Sequence, residues 1–297
     1  MRELAADVRT EGLIASAREL VKVYGKGETA VRALDGVDVD FARGELTAIM
    51  GPSGSGKSTL MHCMAGLDTP TSGSVVVDGD DVGRMNQRAL TKLRRTRLGF
   101  VFQAFNLVPT LTAEENITLP LDIARTAVDQ AWFDLVVDAV GLRDRLDHRP
   151  NELSGGQQQR VACARALVSR PAVVFADEPT GNLDSHSSAE VLGFLRHSVD
   201  ELGQSVVMVT HDPTAASYAH RVLFLGDGRL VGELERPTPQ SVLEKLRSLS
   251  PPPRTGHGHH AAAGQEDASP VTHDQPGSNG FSTAPSAASI SAAEVLR

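Results

Sequence analysis

Short runs of apolar residues alternate with amphipathic helical patterns from about Leu13 to Glu235. The apolar runs are rich in valine, isoleucine and phenylalanine, which favour strands, and the last run is interrupted by GDG, a turn signal between two strands. In chain order they are VDVDF, ELTAIM, SVVVDG, LGFVFQ, AVVFAD, SVVMVT and RVLFLGDGRLVGEL. This alternation predicts an α/β fold in which helices cover a mostly parallel sheet.

The segment from about residue 104 to residue 168 lacks a strong strand pattern. Apolar residues in QAWFDLVVDAVGL and QQQRVACARALV recur instead at helical spacing. We therefore predict a helical subdomain inserted in a domain that spans residues 13–235. A further short helix is expected within residues 236–250.

The two ends of the chain differ from this domain. Residues 1–12 form a short extension that carries acidic residues where a signal peptide would have an apolar run. Residues 251–297 are poor in large apolar side chains and rich in Pro, Gly, Ala and Ser. Such a segment cannot offset the entropy of ordering, so it is predicted to be disordered.

Composition narrows the class of protein only slightly. The 297 residues are 40% hydrophobic and 22% charged, which is ordinary for a soluble protein, and the net charge of -8 argues against a general nucleic-acid binder. Cys63 and Cys163 lie in helical patterns, which fits a reducing cytosol. No apolar stretch approaches the about 18 residues needed to cross a bilayer. Work at a membrane would therefore require a span supplied by another chain.

The sequence GPSGSGKST, residues 51–59, is a complete Walker A pattern between a predicted strand and a predicted helix. Its glycines allow backbone N–H groups to approach a polyphosphate, and Lys57 adds positive charge at the β- and γ-phosphates. The Ser58 hydroxyl is a candidate Mg²⁺ ligand. The predicted nucleotide-binding residues of this loop are Gly51, Ser53, Gly54, Ser55, Gly56, Lys57, Ser58 and Thr59.

Two carboxylates follow the apolar run AVVFAD. Uninterrupted apolar runs are typical of strands buried on both faces, and ligands of open parallel sheets bind at the carboxyl ends of the strands. Asp177 and Glu178 should therefore lie beside the phosphate loop. We predict that Asp177 holds Mg²⁺ through water and that Glu178 orients or deprotonates an attacking water.

A second anion site is predicted at LSGGQQQR, where Ser154 and the N–H groups of Gly155 and Gly156 begin a helix. With this motif the chain resembles the ATP-binding cassette (ABC) family, whose signature ends in Gln157. The resemblance covers residues 13–235 and implies a P-loop NTPase-type sheet with an antiparallel β subdomain and a helical subdomain. It also implies two copies packed head to tail, each placing ATP between its own loop and its partner's signature.

The resemblance assigns roles to four more residues. Tyr24 is similar to the aromatic residue that stacks on adenine, and Gln103 to the glutamine that reaches the metal and senses the partner subunit. Asp184 lies where the family's dimer-contacting loop is found. His211 resembles the histidine that contacts the γ-phosphate. Glu178, His211 and Gln103 are thus the expected catalytic residues, and Ser58, Gln103 and Asp177 the expected metal-binding residues.

Longer stretches resemble the ATPases of lipoprotein-releasing and macrolide-export systems of bacteria. Among them are RRTRLGFVFQAFNLVPTLTAEENITLPL and DEPTGNLDS. The resemblance implies an ATPase that forms a homodimer on the inner face of the cell membrane and drives separate permease subunits, in export or extraction. A groove near residues 103–111 would receive the permease.

Two other classes remain open. One is an ABC ATPase that regulates a cell-wall hydrolase through a membrane partner, which the sequence does not separate from transport. The other is a soluble ABC ATPase outside transport, of the DNA-repair or translation-factor type. The DNA-repair type carries a long coiled coil between the Walker motifs, and the translation-factor type usually joins two cassettes in one chain. This sequence shows neither feature.

Overall fold

The structure is a computed structural model, and it describes residues 12–249. The expected tail over residues 251–297 and all but the last residue of the expected N-terminal extension lie outside this range. The strands are β1 (Leu13–Tyr24), β2 (Val31–Ala42), β3 (Leu46–Met50), β4 (Ser72–Val77), β5 (Asp80–Asp81), β6 (Leu98–Phe102), β7 (Val173–Asp177), β8 (Val206–Val209), β9 (Arg221–Gly226) and β10 (Arg229–Glu235). The helices are α1 (Lys57–Met64), α2 (Gln87–Arg97), α3 (Ala113–Ala124), α4 (Gln130–Ala139), α5 (Gly155–Leu167), α6 (Ser185–Asp200), α7 (Pro213–Ala216) and α8 (Pro239–Leu249).

The strands form two sheets. The larger has six strands in the order β10-β9-β3-β8-β7-β6, and all neighbours are parallel except the β9–β10 hairpin. The smaller is antiparallel, in the order β2-β1-β4-β5. The P-loop NTPase-type fold with an antiparallel β subdomain is thereby confirmed.

The six-stranded sheet is covered on both faces. Along β7, Val174 and Ala176 face a core shared with α3, α4, α5 and α6, whereas Val173 and Phe175 face a core shared with α1 and the smaller sheet. This alternation follows from the two-residue period of a strand. A strand buried on both faces reads as a continuous apolar run, which is why AVVFAD is recognisable in the sequence.

The GDG turn joins β9 and β10 as the sequence predicts. Asp227 and Gly228 have φ values of 47° and 74°, so both central residues of this two-residue loop are left-handed, as a tight hairpin turn requires. The first strand, by contrast, is not among the runs that the sequence pattern identifies. Its pairing with β2 and β4 slips near Glu19, which has a φ of 45°, and this irregularity removes the alternation that marks a strand.

The helices α3, α4 and α5 lie between β6 and β7, in the part of the chain predicted to be helical. A loop precedes α3, and the fully buried side chain of Asn116 holds it in place. The Asn116 amide donates to the carbonyls of Val108, Leu111 and Thr112, and its oxygen accepts from the Val108 N–H at 2.8 Å. One side chain thus fixes the path of residues 108–112.

Replacing Asn116 by alanine should destabilise the protein, because these backbone groups would lose their buried partner. We expect the free energy of unfolding in urea to fall by about 2–3 kcal/mol. Thr118 is half-buried and its hydroxyl donates to Glu114 O in its own helix, so it offers a matched control, since Thr118→Ala should cost less than about 0.5 kcal/mol. Equal effects of the two substitutions would contradict the role of Asn116.

Candidate functional site

The loop between β3 and α1 is pressed against neighbouring backbone. A Cβ on Gly51 would lie 2.0 Å from Leu225 O, and one on Gly56 would lie 2.3 Å from Ala33 O. Gly56, with a φ of 100°, is also the residue that precedes the first turn of α1. Only glycine fits at these two positions, so the loop conformation depends on them.

Lys57 begins α1 and turns back over the loop. Its ammonium donates to Gly51 O at 3.0 Å and to Pro52 O at 2.9 Å. Burial lowers the pKa of Lys57, and the negative charges of Glu178 and Asp177 oppose this shift. The Lys57 ammonium is therefore held by two loop carbonyls at the wall of a cleft, where it can meet an anion.

The other predicted loop residues differ in their surroundings. Ser53 lines the same cleft, and Gly54 has a φ of 79°. Ser55 is buried, and its hydroxyl has no partner among the described residues. Thr59 lies in the first turn of α1.

Two side-chain oxygens lie together where α1 meets the end of β7. Ser58 Oγ donates to Asp177 Oδ1 at 3.3 Å. Burial raises the pKa of Asp177 to about 6, with a contribution from the neighbouring Glu178 charge. The site thus holds a carboxylate in a place that disfavours its negative charge, unless a cation compensates it.

Glu178 follows in a left-handed conformation with a φ of 48°, which is uncommon for a residue with a side chain. Its N–H donates to Val209 O at 2.9 Å, and its carboxylate lies 2.8 Å from Nδ1 of His211. Glu178 and His211 come from the ends of adjacent strands β7 and β8. They line one cleft together with Lys57 and residues 51–53.

Gln103, at the end of β6, is engaged elsewhere. Its amide donates to Asn182 Oδ1 at 3.0 Å, and the Asn182 amide donates back to Gln103 O at 3.0 Å. Gly181 makes this contact possible, since a Cβ there would lie 2.8 Å from Gln103 Nε2. Among the described residues, the Gln103 side chain makes no hydrogen bond with Ser58 or Asp177. Sequence reasoning did not single out Asn182.

The signature residues form the start of α5. Ser154 and Gln157 make a reciprocal capping box, in which Ser154 Oγ accepts from the Gln157 N–H and Gln157 Oε1 accepts from the Ser154 N–H. Asp184 caps α6 by accepting from the N–H groups of His186 and Ser187. Gly156 lies against α6, where a Cβ would be 2.6 Å from Ser187 Oγ. None of the signature residues, including Gly155, lines the cleft of Lys57.

Tyr24, at the end of β1, is half exposed and fixed in place by its hydroxyl. That hydroxyl donates to Asp68 Oδ2 at 2.6 Å, and the Lys22 ammonium lies 4.8 Å from the centre of the ring. Burial and the bond to Asp68 raise the pKa of Tyr24 to about 12. Stacking of Tyr24 on adenine stays a prediction.

A buried arginine also orders the loop after Gln103. The guanidinium of Arg165 donates to Asn106 O at 2.7 Å and to Phe105 O at 2.9 Å, and burial lowers its pKa to about 10. In the sequence Arg165 is the basic residue within VACARAL, the apolar second half of α5. Its role depends on a loop about 60 positions away, so no local signal reveals it.

Known proteins of one family are similar to this chain over most of its length. Residues 34–181 match the ABC transporter family. The chain is 43% identical over 245 residues to an uncharacterized ABC transporter ATP-binding protein, YvcR, of Bacillus subtilis, covering 80% of this chain and 95% of the relative. It is 42% identical to the bacitracin export ATP-binding protein BceA of Halalkalibacterium halodurans, covering 75% of this chain and 89% of the relative.

Two further similarities concern assembly. The macrolide export ATP-binding/permease protein MacB of Brucella melitensis is 43% identical over 82% of this chain, and the match spans only 38% of that longer protein. A dimeric ATP-binding cassette in a post-hydrolysis state, bound to ADP and Pi, superposes with a TM-score of 0.68 at 40% identity. The superposition covers 75% of this chain and 99% of that cassette.

The raised pKa of Asp177 predicts that removing this carboxylate stabilises the protein at high pH. The contribution of the protonated Asp177 carboxyl to the free energy of unfolding is fully present below pH 3.8, the pKa of this group in the unfolded chain. It is lost as the pH rises through about 6, where the carboxyl ionises in the folded protein. Without nucleotide or Mg²⁺, Asp177→Asn should therefore be more stable than the wild type at pH 8. The gain is at most roughly 3 kcal/mol and should shrink as the pH falls from 6 to 4.

Asp200 is the control, because its pKa is shifted in the opposite direction to that of Asp177. Hydrogen bonding to Arg196 lowers the pKa of Asp200, so its charge stabilises the fold above pH 3.8 and Asp200→Asn should be less stable at pH 8. Urea unfolding of both variants at pH 4, 6 and 8 tests the pair. A loss of stability for Asp177→Asn at pH 8 would overturn the account of the Asp177 site.

Proposed function

The chain belongs to the ABC transporter family, and from that premise we propose that it is the ATP-hydrolysing subunit of a bacterial exporter that acts on a separate permease. The single observation that carries the proposal is the cleft in which Lys57, Glu178 and His211 converge beside a glycine-dependent loop. The chain would work at the cytoplasmic face of the membrane. Within residues 12–249, no helix is long and apolar enough to span a bilayer.

Hydrolysis assigns a task to each residue of the cleft. The loop N–H groups and Lys57 bind the phosphates, and Glu178 accepts the proton of the water that attacks the γ-phosphate. His211, hydrogen-bonded to Glu178, orients the carboxylate and can contact the γ-phosphate. Left-handed backbone at Glu178 directs this side chain into the cleft, which supports its role as the base.

The residues present fit a Mg²⁺ ion. Mg²⁺ prefers oxygen ligands, and Ser58 Oγ and Asp177 Oδ1 lie together beside the phosphate loop. The unfavourable burial of the Asp177 charge is also what a bound cation would relieve. When bound, Mg²⁺ would neutralise charge on the β- and γ-phosphates. Gln103 would join this site only after releasing Asn182.

A homodimer supplies the second half of each site. Ser154, Gly155 and Gly156 start α5 away from the cleft of their own chain, with N–H groups suited to an anion. We infer that they bind the γ-phosphate held by a second copy, as the dimeric form of the similar cassette supports. Asp184, at the start of α6 beside Gly156, would lie at the same interface.

Export is the favoured direction, because MacB and BceA are named for the export of macrolides and bacitracin. A permease on a separate chain is inferred from MacB, which carries ATP-binding and permease functions in one longer protein. The proposed cargo class is an antibiotic or another amphiphile. Regulation of a cell-wall hydrolase through a membrane partner is the alternative, and it would use the same ATPase cycle.

A groove between α2, β6, α3 and α5 is the proposed permease contact. It encloses about 240 Å³ and is mostly apolar, and its lining includes Arg94, Arg95 and Arg165 but no acidic residue. A partner segment with apolar side chains and a carboxylate would fit. Of the loop expected to line this groove, Asn106 and Val108 do so, whereas the Phe105 ring lies near Gly155 of the signature.

Glu178→Gln tests the proposed catalysis. The amide keeps the shape but cannot accept the proton, so ATP should still bind while turnover falls at least about 100-fold. Purified protein with MgATP should then form a dimer that persists in light scattering, because ATP stays intact between the two copies. Glu201→Gln, on an exposed carboxylate after α6, is the control and should behave as the wild type. Turnover within twofold of the wild type in Glu178→Gln would refute the role of Glu178.

Leu119→Asp tests the permease contact. Leu119 lines the groove and is half-buried, so a carboxylate there should weaken association with the proposed permease by about tenfold or more, while basal ATP turnover is retained. Leu135→Asp changes an exposed leucine of α4 that lies outside the groove and should leave association unchanged. Equal association of both variants, measured by co-purification and permease-stimulated turnover, would exclude this groove.

A further inference from the structure

Gln159 lies in the second turn of the signature helix α5, and its side chain is completely buried. Buried glutamine is unusual unless it is hydrogen-bonded. Its Nε2 donates two hydrogen bonds, to Pro179 O at 2.6 Å and to Phe102 O at 3.2 Å. These acceptors are 20 and 57 positions away in the sequence, respectively, so the contact is a product of the fold.

The two acceptors flank the proposed catalytic residues. Phe102 ends β6 and immediately precedes Gln103, and Pro179 immediately follows Glu178 at the end of β7. One amide group therefore joins the signature helix to the backbone on which Gln103 and Glu178 are mounted. The main-chain segments it joins lie on adjacent parallel strands.

The other end of the same side chain is unsatisfied. Among the described residues, Gln159 Oε1 has no hydrogen-bond partner although it is buried. An unpaired buried carbonyl oxygen destabilises a protein, so a glutamine is a poor choice here for stability alone. Its two donors, in contrast, are both used at the strand ends that carry the chemistry.

We propose that Gln159 is a positioning residue that couples the signature helix to the catalytic strand ends, so that a nucleotide bound at Ser154 of α5 sets the placement of Glu178 and Gln103. The inference rests on the proposed catalytic roles of those two residues. Movement of α5 would be carried to both strand ends at once, because they share a single donor group. The phosphate loop itself is not part of this link.

Gln159→Met tests the link in the full-length protein, since methionine keeps the volume and removes the donor. We expect kcat for ATP hydrolysis to fall about tenfold or more, because a small misplacement of the base Glu178 slows the chemical step. KM should change less than about twofold, because ATP binding uses the phosphate loop, which is not part of this link. The melting temperature should fall, because Phe102 O and Pro179 O lose their buried donor, so kcat is compared at a temperature at which circular dichroism shows both proteins folded.

Gln204→Met is the matched control. Gln204 precedes β8, is also buried and also has an unpaired Oε1, but among residues 12–249 it makes no hydrogen bond with the ends of β6 or β7. Its substitution should leave kcat within about twofold of the wild type. An equal loss of kcat in both variants, or none in Gln159→Met, would overturn the proposal. Persistent turnover in Glu178→Gln would instead indicate failure of the underlying catalytic assignment.

Gln159→Glu supplies a readout that a purely structural role would not change. A protonated carboxyl retains one O–H donor, whereas an ionised carboxylate would face two carbonyl oxygens. Burial raises the pKa of such a group, so kcat relative to the wild type should be higher at pH 6 than at pH 8.5. A ratio that does not vary with pH, in a variant that stays folded by circular dichroism, would contradict the coupling role.

Discussion

The close approach of the loop after β3 to the backbones of β2 and β9 is the constraint on which the rest of the site depends. Gly51 and Gly56 have no room for a Cβ, and Gly228 of the β9–β10 turn donates from its N–H to Ser55 O. The phosphate loop is thus held between two sheets rather than suspended in solvent. This fixed position brings Lys57 and Ser58 opposite the ends of β7 and β8.

Burying ionisable groups at that position lowers the stability of the free protein. Burial disfavours the charge of both Lys57 and Asp177, and each charge partly relieves the other. The loop carbonyls that receive the Lys57 ammonium and the Ser58 hydroxyl beside Asp177 compensate only part of this cost. A polyanion with its cation would complete the compensation, so the site is arranged for a ligand rather than for the stability of the free protein.

The sequence predicted what depends on local pattern and missed what depends on distant partners. Strands buried on both faces, the GDG hairpin and the glycine-rich loop leave a signal within a few residues. The irregular β1, the Gln103–Asn182 pair, the Arg165 anchor and the Tyr24–Asp68 bond do not, since each joins segments far apart in the chain. Motif residues could be named from the sequence, but the hydrogen bonds of Gln103 could not.

The proposed catalytic residues lie together at one edge of the sheet, and so do the hydrogen bonds that could rearrange them. The strands β3, β8, β7 and β6 are adjacent and parallel, so their carboxyl ends, which carry the loop of Lys57, His211, Glu178 and Gln103, lie side by side. The strands are rigid because both their faces are buried, whereas the residues beyond them are held by a few side-chain hydrogen bonds. Exchange of those bonds can rearrange the site while the two cores stay packed, which is what a cycle of closing and reopening requires.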